Sequence, residues 1–359
     1  MTGSRDLHSL RSDMLCPCCI HSPNSTRLVL PSPPTRRQTD LEPTDFFFGP
    51  PHEGSHVDFG YSVRASDGRL LIGAPAYGQD DQGAIFVFGQ DGQLQTAFGG
   101  TEKEGLGKRF SVSGNLVAIR RKGSVEVRDV QTQQLIGQVS DSNGGSAVTL
   151  LDDLLVVSEE SADGQTGRVR FFVLDPDTAT NSDEVGTGMW VEQEPALIGM
   201  SPSGRFGHIT ALSNDGSRLA VAAPNTVVDG DNKRGVVMVY ETINGNWVQL
   251  GQTLTGVAAN DNFGFAMVLS GDGNTLIVGA PGSNGEGTFR GEVSAFRFLS
   301  DATGWVQVGG TISGGMDRDR LGRTLAMNND GSRFVVSSYL HNGQSGQIRV
   351  FDLNPTIDE

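Results

Sequence analysis

Beyond residue 45 the chain is written in short apolar blocks separated by polar or glycine-containing breaks. Phe263-Gly264-Phe265-Ala266-Met267-Val268-Leu269 is one such block, and Leu276-Ile277-Val278 is the next. Between blocks of this kind lie Asp67-Gly68, Asp215-Gly216, Asp272-Gly273 and Asp330-Gly331. Asp-Gly flanked by apolar runs is a hairpin signal, because glycine adopts φ > 0 without a Cβ clash, and it is read here as a tight two-residue turn. A longer polar loop then leads to a third strand such as Val236–Tyr240 or Ile348–Phe351, and Trp247 to Leu254 is the expected fourth strand. The pattern predicts units of four short antiparallel strands.

These units repeat with constant internal spacing. Trp190, Trp247 and Trp305 lie 57 and 58 residues apart, and sixteen residues after each stands Phe206-Gly207, Phe263-Gly264 or Leu321-Gly322. Eighteen residues further come Pro224, Pro281 and Tyr339, closing Ala222-Ala223-Pro224, Gly279-Ala280-Pro281 and Ser337-Ser338-Tyr339. Weaker copies precede them. Phe59-Gly60 leads to Gly73-Ala74-Pro75, Leu106-Gly107 leads to Leu116–Ile119, and a degenerate unit near Ser146 leads to Leu154–Val157.

Four-stranded antiparallel units repeated at this period predict an all-β chain folded as a β-propeller. Six blades are expected, seven being the alternative. The last unit ends after its third strand, and Asp45-Phe46-Phe47-Phe48-Gly49 stands before Phe59-Gly60 much as the Trp segments stand before theirs. That N-terminal segment is the expected closing strand, which would remove exposed edges. The chain therefore reads as a Pro/Ser-rich leader over 1–45, a propeller over 46–353 and a tail over 354–359.

The Phe-Gly and Gly-Ala-Pro markers resemble the FG-GAP repeat of the integrin α-subunit propeller family over about residues 46–353. The resemblance implies a propeller whose upper-face loops bind protein partners, with calcium loops between the first and second strands of several blades. Here the corresponding segments, Ser213–Arg218, Ser270–Thr275 and Asn328–Arg333, each carry one aspartate and no downstream acid. Calcium takes six to eight oxygens with several carboxylates among them. Hairpin formation is the expected role of these aspartates, with no metal and no cofactor. By the family's topology one face gathers Asp80, Asp81, Asp229, Asp231, Asp261, Asp317 and Asp319. They are candidates for an acidic rim that attracts a basic partner, set against the simpler role of solvated loop acids. Asp229 and Asp231 have the best metal-like spacing, but Lys233 and Arg234 beside them argue against a strong site.

Composition narrows the function classes. The 359 residues carry 27 Lys+Arg against 42 Asp+Glu, a net charge of −15, which disfavours a nucleic-acid partner or an anionic membrane surface. No apolar run approaches the roughly 18–20 residues of a membrane span, and no signal-peptide core is present. The only cysteines, Cys16, Cys18 and Cys19, lie in the leader, so a disulfide framework is excluded for the propeller. With His21 they have no second ligand knuckle for zinc. Asn24-Ser25-Thr26 is a sequon that matters only in a secretory setting.

The tryptophans read as blade-packing residues rather than sugar platforms, and His208 as a packing position. His52, His56 and His341 sit in polar stretches with no nucleophile at a recognisable spacing. No nucleophile elbow, phosphate loop or His-Glu-x-x-His helix occurs. The expectation is a non-catalytic interaction or adhesion-type module with a protein ligand. The alternative is a carbohydrate binder or carbohydrate-active enzyme using the channel. The family resemblance suggests a cell-surface or extracellular setting. Melting curves in millimolar calcium and in EDTA should coincide. A site filled at 100 times its Kd would separate them by about 2.7 kcal/mol, and such a separation would restore calcium-dependent recognition.

Overall fold

The apolar blocks become strands, and consecutive strands pair antiparallel in chain order to give six sheets arranged as a six-bladed β-propeller. The computed structural model describes residues 57–140, 147–175 and 190–353, within the unit Phe48–Glu359. The other unit, Met1–Phe47, lies outside the described residues. So do Asp45–Gly49, the three cysteines, His52, His56, the sequon and the tail. Among the described residues no helix is long and apolar enough to cross a membrane.

The innermost strands are Ser62–Ser66, Phe110–Ser113, Val148–Leu151, Thr210–Leu212, Ala266–Leu269 and Leu325–Met327, and successive ones lie side by side around the ring. In blade 6 the described residues supply three strands, ending with Gln347–Asp352. On that outer strand Ile348 and Val350 are 73% and 58% exposed. Apolar side chains fill the spaces between blades. Separate clusters join blades 1 and 2, 2 and 3, 3 and 4, 4 and 5, and 5 and 6.

Neighbouring blades are latched at the Phe-Gly pair. The residue preceding its glycine is buried at Leu106, Phe206, Phe263 and Leu321. The glycine after it lies on the second strand of the preceding blade. A Cβ at Gly279 would overlap the carbonyl oxygen of Gly322, and one at Gly73 would overlap that of Gly107. Gly322 itself has φ +90°. The Phe-Gly and Gly-Ala-Pro markers thus recur together because they are two sides of one backbone contact. A second glycine pair frames each latch. Gly100, Gly199, Gly256 and Gly314 donate through their amides to Gly83, Gly167, Gly235 and Gly291 at 2.8–3.0 Å.

Two strand-level expectations need correction. The hairpin of blade 1 is the expected two-residue turn, with Ser66 paired to Arg69 and both Asp67 and Gly68 at positive φ. In blades 4, 5 and 6 the turn holds four residues, closed by Ser213 N–H to Arg218, Ser270 N–H to Thr275 and Asn328 N–H to Arg333. The added length lets the turns interlock. Asn214 N–H donates to Gly271 (2.8 Å), and Gly271 N–H donates to Asn329 (2.7 Å). The Asn214 Nδ2 then donates to Asn329 Oδ1 at 2.6 Å, joining blades 4 and 6 across this end of the channel. A side chain at Gly271 would overlap both asparagines, which is why this turn departs from its neighbours' Asn.

The fourth strand of blade 4 is also broken, into Asn246–Gln249 and Leu254–Thr255. The gap is where the next blade docks. Trp305 Nε1 donates to the Leu250 carbonyl (3.0 Å), and the Gln252 side chain brackets the Trp305 backbone. Trp247 stacks on Phe171 of blade 3, with ring centroids 5.0 Å apart, and Trp190 packs in the cluster between blades 2 and 3.

Gly279→Ala should lower stability by about 1–3 kcal/mol, the usual range for overpacking a tight contact. Gly230, whose Cβ would meet open space, should tolerate alanine better apart from the strain of its φ of +88°. Equal melting temperatures for Gly279→Ala and the parent would contradict the latch.

Candidate functional site: the axial mouth on the Phe-Gly face

The loops before the Phe-Gly pairs and those after the second strands lie at one end of the blades, and all seven candidate aspartates sit on them. The structure gives these carboxylates three kinds of surroundings. Asp261 and Asp319 are buried, 4% and 1% exposed. Asp261 Oδ2 accepts the Val257 and Ala258 amides (2.9 and 2.7 Å), and Asp319 Oδ2 accepts that of Met316 (2.9 Å). Glu104 does the same for Thr101 in blade 2. These acids close the loop that delivers each Phe-Gly pair. Burial pushes the Asp261 carboxyl upward against the pull of its two amides. Asp319 also meets His341 Nδ1 at 3.0 Å.

Three more pair with arginines on this face. Asp317 lies 3.0 Å from Arg290, which holds its carboxyl below the usual range. Asp229 and Asp231 share Arg234, at 3.0 and 3.8 Å. Asp80 and Asp81 are exposed in the turn Gln79–Asp81, and their carbonyls hold the following blade's Lys103 and Gly105 amides. The seven acids are thus spread over separate loops of blades 1, 4, 5 and 6.

The Asp-Gly aspartates are occupied by their own turns. Asp215 Oδ1 accepts the Ser213 and Ser217 hydroxyls and the Ser217 amide, and Asp330 Oδ1 accepts the Ser332 amide and hydroxyl. Both carboxyls are held low by those bonds. Among the described residues no three His, Cys, Asp or Glu side chains converge as a metal-binding group.

A different set of residues gathers at the axis. The position directly after each Phe-Gly glycine enters the innermost strand, and it is filled by Tyr61, Lys108, His208, Phe265 and Arg323. The residue after the second strand is proline in three blades but Glu160 in blade 3 and Tyr339 in blade 6. Arg64, Arg109 and Arg205 stand on or just before innermost strands of blades 1, 2 and 4. Their contacts run from blade to blade. Arg64 lies over the Phe110 ring at 6.0 Å and feels the charge of Arg109. Arg109 in turn feels Glu160, Tyr61 and Arg205.

Arg205 grips Glu160 with two bonds of 2.9 Å, and His208 Nδ1 lies 3.2 Å from the same carboxylate. His208 packs on Phe265 with centroids 5.3 Å apart. Arg323 lies over Phe265 at 5.1 Å and over Tyr339 at 4.8 Å. The collar therefore touches all six blades and holds four guanidiniums against one carboxylate, in a chain of net charge −15. Arg64, Arg109 and Arg323 have no carboxylate within salt-bridge distance among the described residues.

Crowding by protein is the largest influence lowering the Arg64 and Arg109 pKa values; the Arg109 charge adds to it at Arg64, while at Arg109 Glu160 and Tyr61 oppose it and Arg205 adds to it. His208 is likewise pulled below 6.5, first by burial, with Arg205 and Arg109 adding to the effect and Glu160 opposing it. Such an arrangement can hold an oxyanion entering along the axis. Of this collar the sequence reading had singled out His208 as a packing residue, Tyr339 as a marker and His341 beside it. The legible signal was the column of residues one step past each Phe-Gly pair.

No protein-family model matches the chain, and no curated protein sequence matches it. Solved structures do. One is a protein of Bacteroides uniformis provisionally named a 6-phosphogluconolactonase. It shares a TM-score of 0.58 at 14% identity, covering 82% of this chain and 81% of that one. A second, from Bacteroides fragilis under the same provisional name, gives 0.56 at 15% identity, with 82% and 80% covered. At such identities the likeness establishes the propeller fold and nothing finer.

Because the folded chain binds a proton at His208 less well than the unfolded chain does, stability should be full above pH 6.5. It should fall as pH drops through 6.5 toward the lower folded value. His208→Gln should flatten melting temperature against pH between 7.5 and 5. An unchanged slope would show that His208 does not carry this linkage.

Proposed function

We propose that this chain is a non-catalytic binding propeller of FG-GAP type whose ligand enters at the axial collar. The observation that carries the reading is the run of arginines along the collar. Arg64 lies over Phe110 and feels the charge of Arg109, Arg109 feels Arg205 and Glu160, and Arg323 lies over Phe265, with no ion pair formed by Arg64, Arg109 or Arg323 among the described residues. Like charges brought together, as Arg64 and Arg109 are, cost free energy that an anionic ligand would offset. The collar stands here in preference to the acidic loops. Five of those seven carboxylates already hold a backbone amide or an arginine.

A carbohydrate-active enzyme is the second reading. It is favoured by the Glu160–His208 contact of 3.2 Å at the same mouth, a carboxylate beside an imidazole whose pKa burial lowers, the residue types of general acid–base chemistry. The provisional names of the Bacteroides propellers, which describe enzymes of a phosphorylated sugar lactone, point the same way.

Two charge variants separate the surfaces. One joins Arg109→Glu with Arg323→Glu, and the other joins Asp229→Lys with Asp317→Lys. Both are applied with the parent to a glycan array and to a thermal-shift metabolite library. Loss of hits in the collar variant alone supports the collar. Loss in the rim variant alone returns the acidic loops as the site. Turnover of a sugar lactone by the parent that disappears in Glu160→Gln would establish the enzyme instead.

A further inference from the structure

The arginines of the collar limit what can bind there. At the Asp-Gly end, Asn214, Gly271 and Asn329 bridge blades 4, 5 and 6, whereas the collar residues stand at the Phe-Gly end. There Arg64 of blade 1 and Arg109 of blade 2 lie close enough to repel each other. Arg64 is oriented by the fully buried Phe110, and Arg109 stands one residue before Phe110, at the entry of the same innermost strand. Arg205, by contrast, is already neutralised by its two bonds to Glu160. Arg323 is fixed between Phe265 and Tyr339 on the far side.

We infer that Arg64 and Arg109 form an oxyanion clamp, so that the collar takes a small molecule bearing a carboxylate or phosphate, entering from the Phe-Gly face. This rests on the collar being the binding site and goes further in naming the ligand's charge. Guanidinium forks suit both oxyanions, since each offers paired oxygens to parallel N–H donors. Tyr61, 62% exposed beside the clamp, offers an aromatic face and a hydroxyl to whatever carries the anion. The clamp is a local positive region on a protein of opposite overall charge, so added salt should weaken capture rather than strengthen it.

The test is isothermal titration of the full chain at low salt with glucose, glucuronate and glucose 6-phosphate, three probes that differ only at carbon six. Inorganic phosphate is the fourth probe. The expected result is heat of binding for at least one charged sugar and none for glucose. Arg109→Gln and Arg64→Gln should each weaken that binding by tenfold or more. Arg333→Gln, which alters an exposed arginine paired with Asp352 away from the collar, should leave it unchanged.

Preference between glucuronate and glucose 6-phosphate tells the carboxylate from the phosphate. Glucose binding as well as the charged sugars, with sensitivity to Arg109→Gln, would overturn the oxyanion clamp while leaving the collar as the site. Charged sugars that bind equally to parent and both clamp variants would overturn the placement. Silence from every charged probe up to 20-fold above millimolar would overturn the inference too. The collar itself would then stand or fall by the array comparison of the two charge variants.

Discussion

The ring depends on how closely the backbone of one blade can approach the next at the Phe-Gly pairs. Gly107 and Gly322 lie against Gly73 and Gly279 so tightly that a Cβ on the older strand would enter the neighbour's carbonyl. That approach lets the preceding Leu106 or Leu321 sink fully into the space between blades. Burying a side chain of this size contributes about 1.5–3 kcal/mol. The contact is repeated with small variations. Ala222 and Ser158 take the glycine's place against Gly264 and Gly207, and the closest approach loosens there to side-chain contact. Steric permission at Gly73, Gly107, Gly279 and Gly322 therefore sets how closely blades 1 and 2 and blades 5 and 6 pack over their shared apolar clusters.

The same latch creates the mouth. Once the Phe-Gly glycine is pinned, the next residue enters the innermost strand at the ring's inner edge, whatever its side chain. Tyr61, His208, Phe265 and Arg323 occupy that place in four blades, and Arg109 is one step further on in another. Scaffold and collar thus make separate demands on the sequence. Glycines and apolar residues hold the geometry, and the variable residue beside them decides what the axis presents. At the opposite end the interlocked turns of blades 4 to 6 use asparagine side chains and backbone amides.

Much of this was legible in the spacing of markers. The six units, the strand order and the position of the Trp segments follow from apolar blocks and constant offsets, because a blade needs its turns and latches at fixed places. Turn length was not legible. Asp-Gly reads as a two-residue turn, and only the neighbouring blades' turns explain why Asn214 and Gly271 extend it. The break in the fourth strand of blade 4 was hidden for the same reason, since its cause is Trp305 of the next blade. The glycine standing six or seven residues before each pair, at Gly100, Gly199, Gly256 and Gly314, was a visible signal that went unread. Reading charge loop by loop brought forward the acidic rim. Most of those acids are engaged with amides or arginines, whereas the cationic collar is assembled from single residues in blades far apart in sequence.

The most direct measurement is a crystal of the full chain soaked in selenate, with anomalous differences collected at the selenium edge. Selenate is a phosphate-like oxyanion whose position can be located independently of the surrounding protein. A peak between Arg64 and Arg109 at the axial mouth is the expected result. Peaks confined to other arginines, with the mouth empty at saturating selenate, would contradict an anion-binding collar.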